Sequence, residues 1–352
     1  MIPSRRRFLG SATAAAVLAG APAMASASTP WTVLPDAAEL LAPFRGLPGD
    51  LGLKVLVSRP GDEGFFVAGV DPSRRLFAAS AIKTFALCEV LRQHDARDVV
   101  ERLEACQLVL DESIWSPGSP SFNPPDLTGR VSARTTLEAM ITRSDNTATD
   151  MAFRLAGVDR IRELIATAGL ASTSVPDSTR AFTAYLWGAP DYRDIGWEAL
   201  LQLTRGPLVH DFLNDEQSLA SSAEDFVSFY ARALQGDFFE HAETLDEYRR
   251  VLTLCDHIRL IPMPSGVNAY AKSGNADTTG FHVRSFAGGM ECPGGWAYFA
   301  FLLNWYAEDA ADPATVQSFF TAINQVLTRV RDALANGPAI PPPLPRPRPI
   351  RG

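Results

Sequence analysis

Strand-like and helix-like patterns are segregated along this chain, and no other feature of the sequence limits its fold so tightly. Leu51–Ser58 and Phe65–Val70 alternate or run apolar around the turn Arg59-Pro60-Gly61-Asp62, the pattern of a β-hairpin. Strand character returns only near the far end, at Val267–Lys272, Phe281–Gly288 and Trp296–Trp305. Residues 96–264 read mostly as helix, interrupted by loops such as Trp115-Ser116-Pro117-Gly118-Ser119-Pro120. Strands at both ends with helices between them require the ends to meet in one antiparallel sheet, beside which the middle forms a helical lobe. A short helix near Asp36–Arg45 precedes the hairpin. Phe77–Leu91 is an apolar helix (Ala79, Ile82, Phe85, Ala86, Val90) that must be buried. Asp312-Pro313 caps a final amphipathic helix reaching about Leu334. The expected class is α/β, of the α+β kind, in one domain over 26–336. Its sheet lobe spans about 31–95 and 265–336, its helical lobe about 96–264, and no internal repeat is visible.

The two ends of the chain fall outside that domain. Residues 1–25 have a basic start, an apolar Ala/Leu/Val stretch and the small-x-small end Ala23-Met24-Ala25, the layout of an export signal. Ser4-Arg5-Arg6-Arg7-Phe8-Leu9 is similar to a twin-arginine address, which implies the twin-arginine export machinery as a partner of the precursor. A periplasmic or secreted protein is expected, and the lack of a cysteine at the cleavage point disfavours a lipoprotein. Residues 337–352 are proline-rich with interspersed arginines and read as an extended tail.

Charge and composition exclude several functions. The chain is 46 % hydrophobic and carries a net charge of −8, which becomes −11 without Arg5, Arg6 and Arg7. An acidic body with no block of basic residues is a poor nucleic-acid binder. After residue 25 no apolar run is long enough for a membrane span. Cys88, Cys106, Cys255 and Cys292 show no zinc spacing and the five histidines form no HExxH, so neither metal nor cofactor is expected. Whether Cys88 and Cys106 pair is left open by the sequence.

Of 32 basic residues only three are lysine: Lys54, Lys83 and Lys272. A lysine kept against that bias can do what a guanidinium cannot, namely lose a proton or act as a compact point charge. For Lys54 chance is the simpler reading. For the other two the neighbours decide.

Ser80-Ala81-Ile82-Lys83 opens the apolar helix, and its i,i+3 spacing puts both side chains on one face. Apolar surroundings push such a lysine toward its neutral form, and a neutral amine beside a serine is a base beside a nucleophile. Snorkelling of Lys83 to the surface is the plainer alternative, made awkward by Ile82 and Phe85. Ser144-Asp145-Asn146 lies between a helix over Thr135–Ile141 and another starting near Thr147; by itself it is a pair of helix caps. Lys272-Ser273-Gly274 ends an apolar strand, where a lysine, a hydroxyl and close backbone approach suit a substrate carboxylate.

In this order the three motifs resemble those of the penicillin-recognising serine enzymes, especially class A β-lactamases. The resemblance covers nearly the whole mature chain, since the order of strands, helices and lobe also fits. It implies a five-stranded antiparallel sheet flanked by helices, and a small-molecule substrate such as a β-lactam or an acyl peptide or ester. By position, it implies that Ser80 is acylated, Lys83 helps remove its proton, and Ser144 relays a proton to the leaving nitrogen. Asn146 would hold the substrate's side-chain amide, and Lys272 and Ser273, with Gly274 beside them, its carboxylate. The backbone N–H groups of Ser80 and Asn275 would form the oxyanion hole. Trp115 falls where the family has an aromatic wall at the mouth of the site. Arg284 is a candidate for a second cation, against the simpler reading of a strand-surface arginine.

One departure stands out. Class A enzymes carry a glutamate in a loop downstream of the Ser-Asp-Asn serine, where it activates the deacylating water. Here that stretch, Ser174–Phe182, has Asp177 and no glutamate; Glu198 comes later, within a spacing from Ser144 to Lys272 longer than usual. Arg180 reads as a structural salt-bridge partner. The expected activity is β-lactam hydrolysis with slow deacylation. D,D-peptidase or esterase/amidase action, or β-lactam binding without turnover, is the alternative.

Overall fold

The computed structural model describes residues 36–59, 66–261, 263–278 and 280–335. The export signal, the tip of the first hairpin and the proline-rich tail lie outside the described residues.

The hairpin and the C-terminal strands share one sheet. Strands β1 (Asp50–Ser58) and β2 (Phe66–Val70) form the hairpin, and β3 (Asn268–Thr278), β4 (Phe281–Cys292) and β5 (Gly295–Trp305) form a meander. The spatial order is β2-β1-β5-β4-β3, antiparallel throughout, with β3 at an edge. β1 enters beside β5 in a register running from Asp50↔Asn304 to Ser58↔Trp296. Leu53, Val55 and Val57 of β1 are buried in alternation, whereas nearly every residue of β4 and β5 is buried. Strands covered on both faces need no polar alternation, which is why β5 reads as a continuous apolar run.

Both covering layers come from helices. The final helix, Pro313–Ala335, buries Phe319, Ile323, Val326, Leu327 and Val330, with Phe319 edge-on to Phe44 at 5.8 Å. Each such buried side chain contributes roughly 1.5–3 kcal/mol of apolar transfer. On the lobe side the helix Ala223–Ala233 lies against β1, β4 and β5, and behind it, with Phe85 stacked on Phe226, helix α1 (Lys83–Gln93) has every residue from Lys83 to Leu91 buried. It packs against α2 (Ala133–Thr142) and α3 (Asn146–Ala156), capped by Ser132, which accepts from Thr135 N–H, and Asp145, which accepts from Ala148 N–H. Among the described residues no helix is long and apolar enough to cross a membrane.

The expected helix over Phe77–Leu91 is in fact three elements. Leu76–Phe77 pairs with Ala220–Ser221, Ala79–Ile82 is a 3-10 turn, and α1 starts at Lys83. Asn304 imposes the break by accepting from Phe77 N–H at 3.0 Å and donating to Phe77 O at 2.9 Å. Ala79 then takes φ +48°, a left-handed conformation incompatible with a continuous helix. Asp36–Arg45 is likewise two short pieces, Ala37–Leu40 and the 3-10 turn Ala42–Phe44, joined at Leu41 with Pro43 inside the second. β3 and β4 outrun their apolar patterns, to Thr278 and Cys292, because ladder pairing with each other extends them. All four cysteines are free thiols.

Candidate active site

Ser80 sits half-buried in the 3-10 turn, held against the edge strand β3. Ser285 of β4 donates its hydroxyl to Ala78 O at 2.7 Å, fixing the turn from beneath. Gly274 makes the close approach possible. A Cβ there would lie 2.3 Å from Ala78 O and 2.8 Å from Ser80 N, so any side chain would push strand and turn apart. The backbones of Ser80 and of Gly274 are therefore side by side.

Lys83, Ser144, Asn146 and Lys272 meet in one hydrogen-bonded group. Lys83 is fully buried, and its Nζ donates to Ser144 O at 2.6 Å and Asn146 Oδ1 at 2.7 Å, with Ser144 Oγ 3.3 Å away. Lys272, 1 % exposed, donates to Ser144 Oγ at 3.2 Å and Ser273 O at 2.9 Å. Ser144 itself adopts φ +56°. A serine held in that sparsely populated region is strained, and the contacts of both lysines over-determine it. Asn146 donates through Nδ2 to Pro117 O at 2.7 Å, which joins the Trp115–Pro120 loop to the site.

Neither buried lysine has an ion-pair partner among the described residues, whereas Lys54 pairs with Glu224 as an ordinary partly exposed lysine. Burial pushes the Lys83 ammonium far below the usual lysine range, Lys272 pushes it further, and Asp145 and Asp150 only partly offset this. Burial also lowers Lys272, against the pull of the Asp256 carboxylate. A neutral amine has two N–H donors and one lone pair. At Lys83, Ser144 O and Asn146 Oδ1 take the two donors, so the lone pair is left to accept a proton.

The remaining sequence candidates divide. Ser273 is buried on β3 with its hydroxyl 3.8 Å from Cys255 Sγ, and Asn275 is exposed at the strand's outer end. Trp115 forms no exposed wall. It is 9 % exposed and packs edge-on against Trp197, ring centroids 5.8 Å apart, because the long segment after Leu186 brings Trp197 over it. Arg284 lies opposite Asn275, but both of its terminal nitrogens bond to Asp277, at 2.8 and 2.9 Å, so its charge is already matched. Arg180 is structural, although its partners are carbonyls and not an acid: it donates to Ile195 O, Glu112 O and Trp115 O.

The acids near the loop are poor bases or distant. Asp177 accepts from Arg162 at 2.7 Å, Arg193 at 2.6 Å and Gln217 at 3.0 Å; although partial burial raises its carboxyl, those bonds dominate and hold it below the usual range. Glu198 is exposed on the first turn of the helix Trp197–Leu203. The sequence reading missed Asp150, 3 % exposed, which accepts from Thr179 N–H, Thr179 Oγ1 and Arg180 N–H at 2.6–3.0 Å. Burial raises it to about 6 despite those bonds. Its spacing of four from Asn146, one helical turn along the same face, was the signal available.

A family model described as the beta-lactamase enzyme family matches residues 46–302. Among solved structures, a beta-lactamase from Sphaerobacter thermophilus superposes with TM-score 0.62 at 20 % identity, covering 86 % of this chain and 98 % of that one. TLA-3 extended-spectrum beta-lactamase gives TM-score 0.63 at 16 % identity, covering 85 % and 98 %. A point mutant of PBP-A, solved as an acyl-enzyme complex with penicillin G, gives 0.58 at 18 %, covering 84 % and 98 %. At these identities the superpositions bear on fold alone. No curated protein sequence matches the chain.

Proposed function

The chain belongs to the beta-lactamase enzyme family, and from that premise we propose that it is an exported serine hydrolase acting through an acyl-Ser80 intermediate, with β-lactam ring opening as its leading reaction. The observation that carries this reading is Lys83: buried, without a carboxylate partner, its two neutral-amine donors occupied by Ser144 O and Asn146 Oδ1. Its lone pair takes the Ser80 proton as Oγ attacks the acyl carbon. Ser144, bonded to Lys272 and adjacent to Lys83, passes a proton to the departing nitrogen. Lys272 has three donors as an ammonium and uses two, leaving one for the substrate carboxylate beside Ser273. Backbone N–H groups of Ser80 and Asn275 meet the charge that develops on the acyl oxygen.

Water must then clear the ester, and Ser174–Phe182 supplies no glutamate for it. Asp177 is neutralised by two arginines, and Asp150 has both carboxylate oxygens bonded to Thr179 and Arg180. Deacylation is therefore slow and falls to Lys83 once it has passed on its proton. The same absence favours a second reading, a D,D-peptidase, esterase or amidase, or a protein that binds β-lactam without turnover. Intact-mass spectrometry after adding a penicillin separates these outcomes: an adduct that forms and fades, one that persists, or none. Complete absence of a Ser80 adduct, with no hydrolysis, overturns the acyl-serine reading. Export through the twin-arginine route is tested by replacing Arg5 and Arg6 with lysine, which should strand the precursor inside the cell.

A further inference from the structure

Among the described residues, the Ser273 hydroxyl has one side-chain partner, and the acylation chemistry makes no use of that partner. Cys255 Sγ lies 3.8 Å from Ser273 Oγ, and both residues are 2 % exposed. Cys255 occupies the link between the helix Ala242–Thr253 and the turn His257–Leu260. The adjoining residue is tied to the other wall of the site. Asp256 N–H donates to Thr142 O at 3.3 Å, and its carboxylate sits 3.3 Å from Arg143, the residue before Ser144. Cys255-Asp256 thus joins the loop that carries Ser144 to the strand that carries Lys272 and Ser273.

A serine hydroxyl has one proton and two lone pairs, and a thiol is a weak donor. With the Cys255 S–H directed at Ser273 Oγ, one lone pair is occupied and the O–H proton stays free for an approaching carboxylate. The opposite polarity would present that anion with oxygen lone pairs. Resting on the acyl-Ser80 reading, we propose that Cys255 is a positioning residue. It acts through Ser273, fixing that hydroxyl as a donor for substrate carboxylates, and does not touch the substrate.

The test compares wild type with Cys255→Val, which keeps volume and removes the donor, and Cys255→Ser, which keeps a donor. Each takes a penicillin and its methyl ester, and Ser80 acylation is followed by intact mass against concentration; thermal melting checks that each variant is folded. Cys255→Val should raise the half-saturating concentration of the acid about three- to tenfold, the worth of one modest hydrogen bond. Its limiting acylation rate and its handling of the ester should stay near wild type, and Cys255→Ser should restore the acid. Equal handling of the acid by wild type and Cys255→Val, or equal losses on acid and ester, overturns the proposal alone. A wild-type chain that takes no adduct on Ser80 overturns the acyl-serine reading and this inference with it.

Discussion

Lys83 and Lys272 converge on one oxygen, their Nζ atoms 3.3 and 3.2 Å from Ser144 Oγ. Both are buried and neither has a carboxylate within ion-pair distance among the described residues. Two ammonium groups in a low-dielectric setting repel by several kcal/mol, at roughly 4 kcal/mol for 4 Å and an effective dielectric of 20. Burial and the repulsion of Lys272 act together on Lys83, so of the pair it is the one driven further toward the neutral amine.

That coupling has a pH signature. On the proposed acyl-Ser80 mechanism acylation needs neutral Lys83, so its rate should fall as pH drops through the Lys83 pKa. Removing the Lys272 charge raises that pKa and should move the acid limb to higher pH. The limiting rate of Ser80 labelling by a neutral penicillin ester, followed from pH 5 to 9 in wild type and Lys272→Met, reads this directly. A limb that stays put shows that Lys83 is not set by its neighbour.

Covalent labelling by a fluorescent penicillin should vanish in Ser80→Ala. In Lys83→Ala it should slow by a factor of about 10²–10⁴, the usual loss on removing a positioned proton acceptor. Labelling that survives in Ser80→Ala means that the nucleophile lies elsewhere.

Asp177 ties Arg162 and Arg193 together and is held ionised by them. Asp177→Asn should leave the decay of the penicillin adduct within about twofold while costing about 1 kcal/mol of stability, as expected for partly exposed pairs. Intact-mass decay and urea unfolding measure the two. A persistent adduct made permanent by the substitution identifies Asp177 as the deacylating base.

Asp150 gives stability a distinct pH dependence. Its pKa is raised from 3.8 to about 6 in the folded chain, so between those values the folded state holds more proton than the unfolded one. Its contribution is present below the unfolded pKa and is lost as pH rises through about 6, by up to roughly 3 kcal/mol. Asp150→Asn should flatten the unfolding free energy between pH 4 and 6.5, as measured by urea titration. An unchanged slope means that Asp150 titrates normally.

The pairing of the two ends, and part of the group that gathers at Ser144, was legible in the local pattern of the chain. A hairpin and three later apolar strands can bury their faces only against one another, and the structure has them in one five-stranded sheet. Ser80 and Lys83 are one turn apart, and Asp145 caps the helix that begins with Asn146, so local spacing already brought those pairs together. Packing settled what local spacing cannot express. Whether Asp177 is a base or a bridge depended on Arg193 and Gln217, which are distant in sequence. Whether Trp115 is a wall or core depended on Trp197 folding over it. The break before Ser80 came from Asn304, far along the chain, which takes the Phe77 backbone out of any helix. Hydrogen-bond partners and desolvation are set by whatever the fold brings within a few ångströms, and that neighbourhood is a property of packing, whereas strand alternation and helical spacing belong to the local chain.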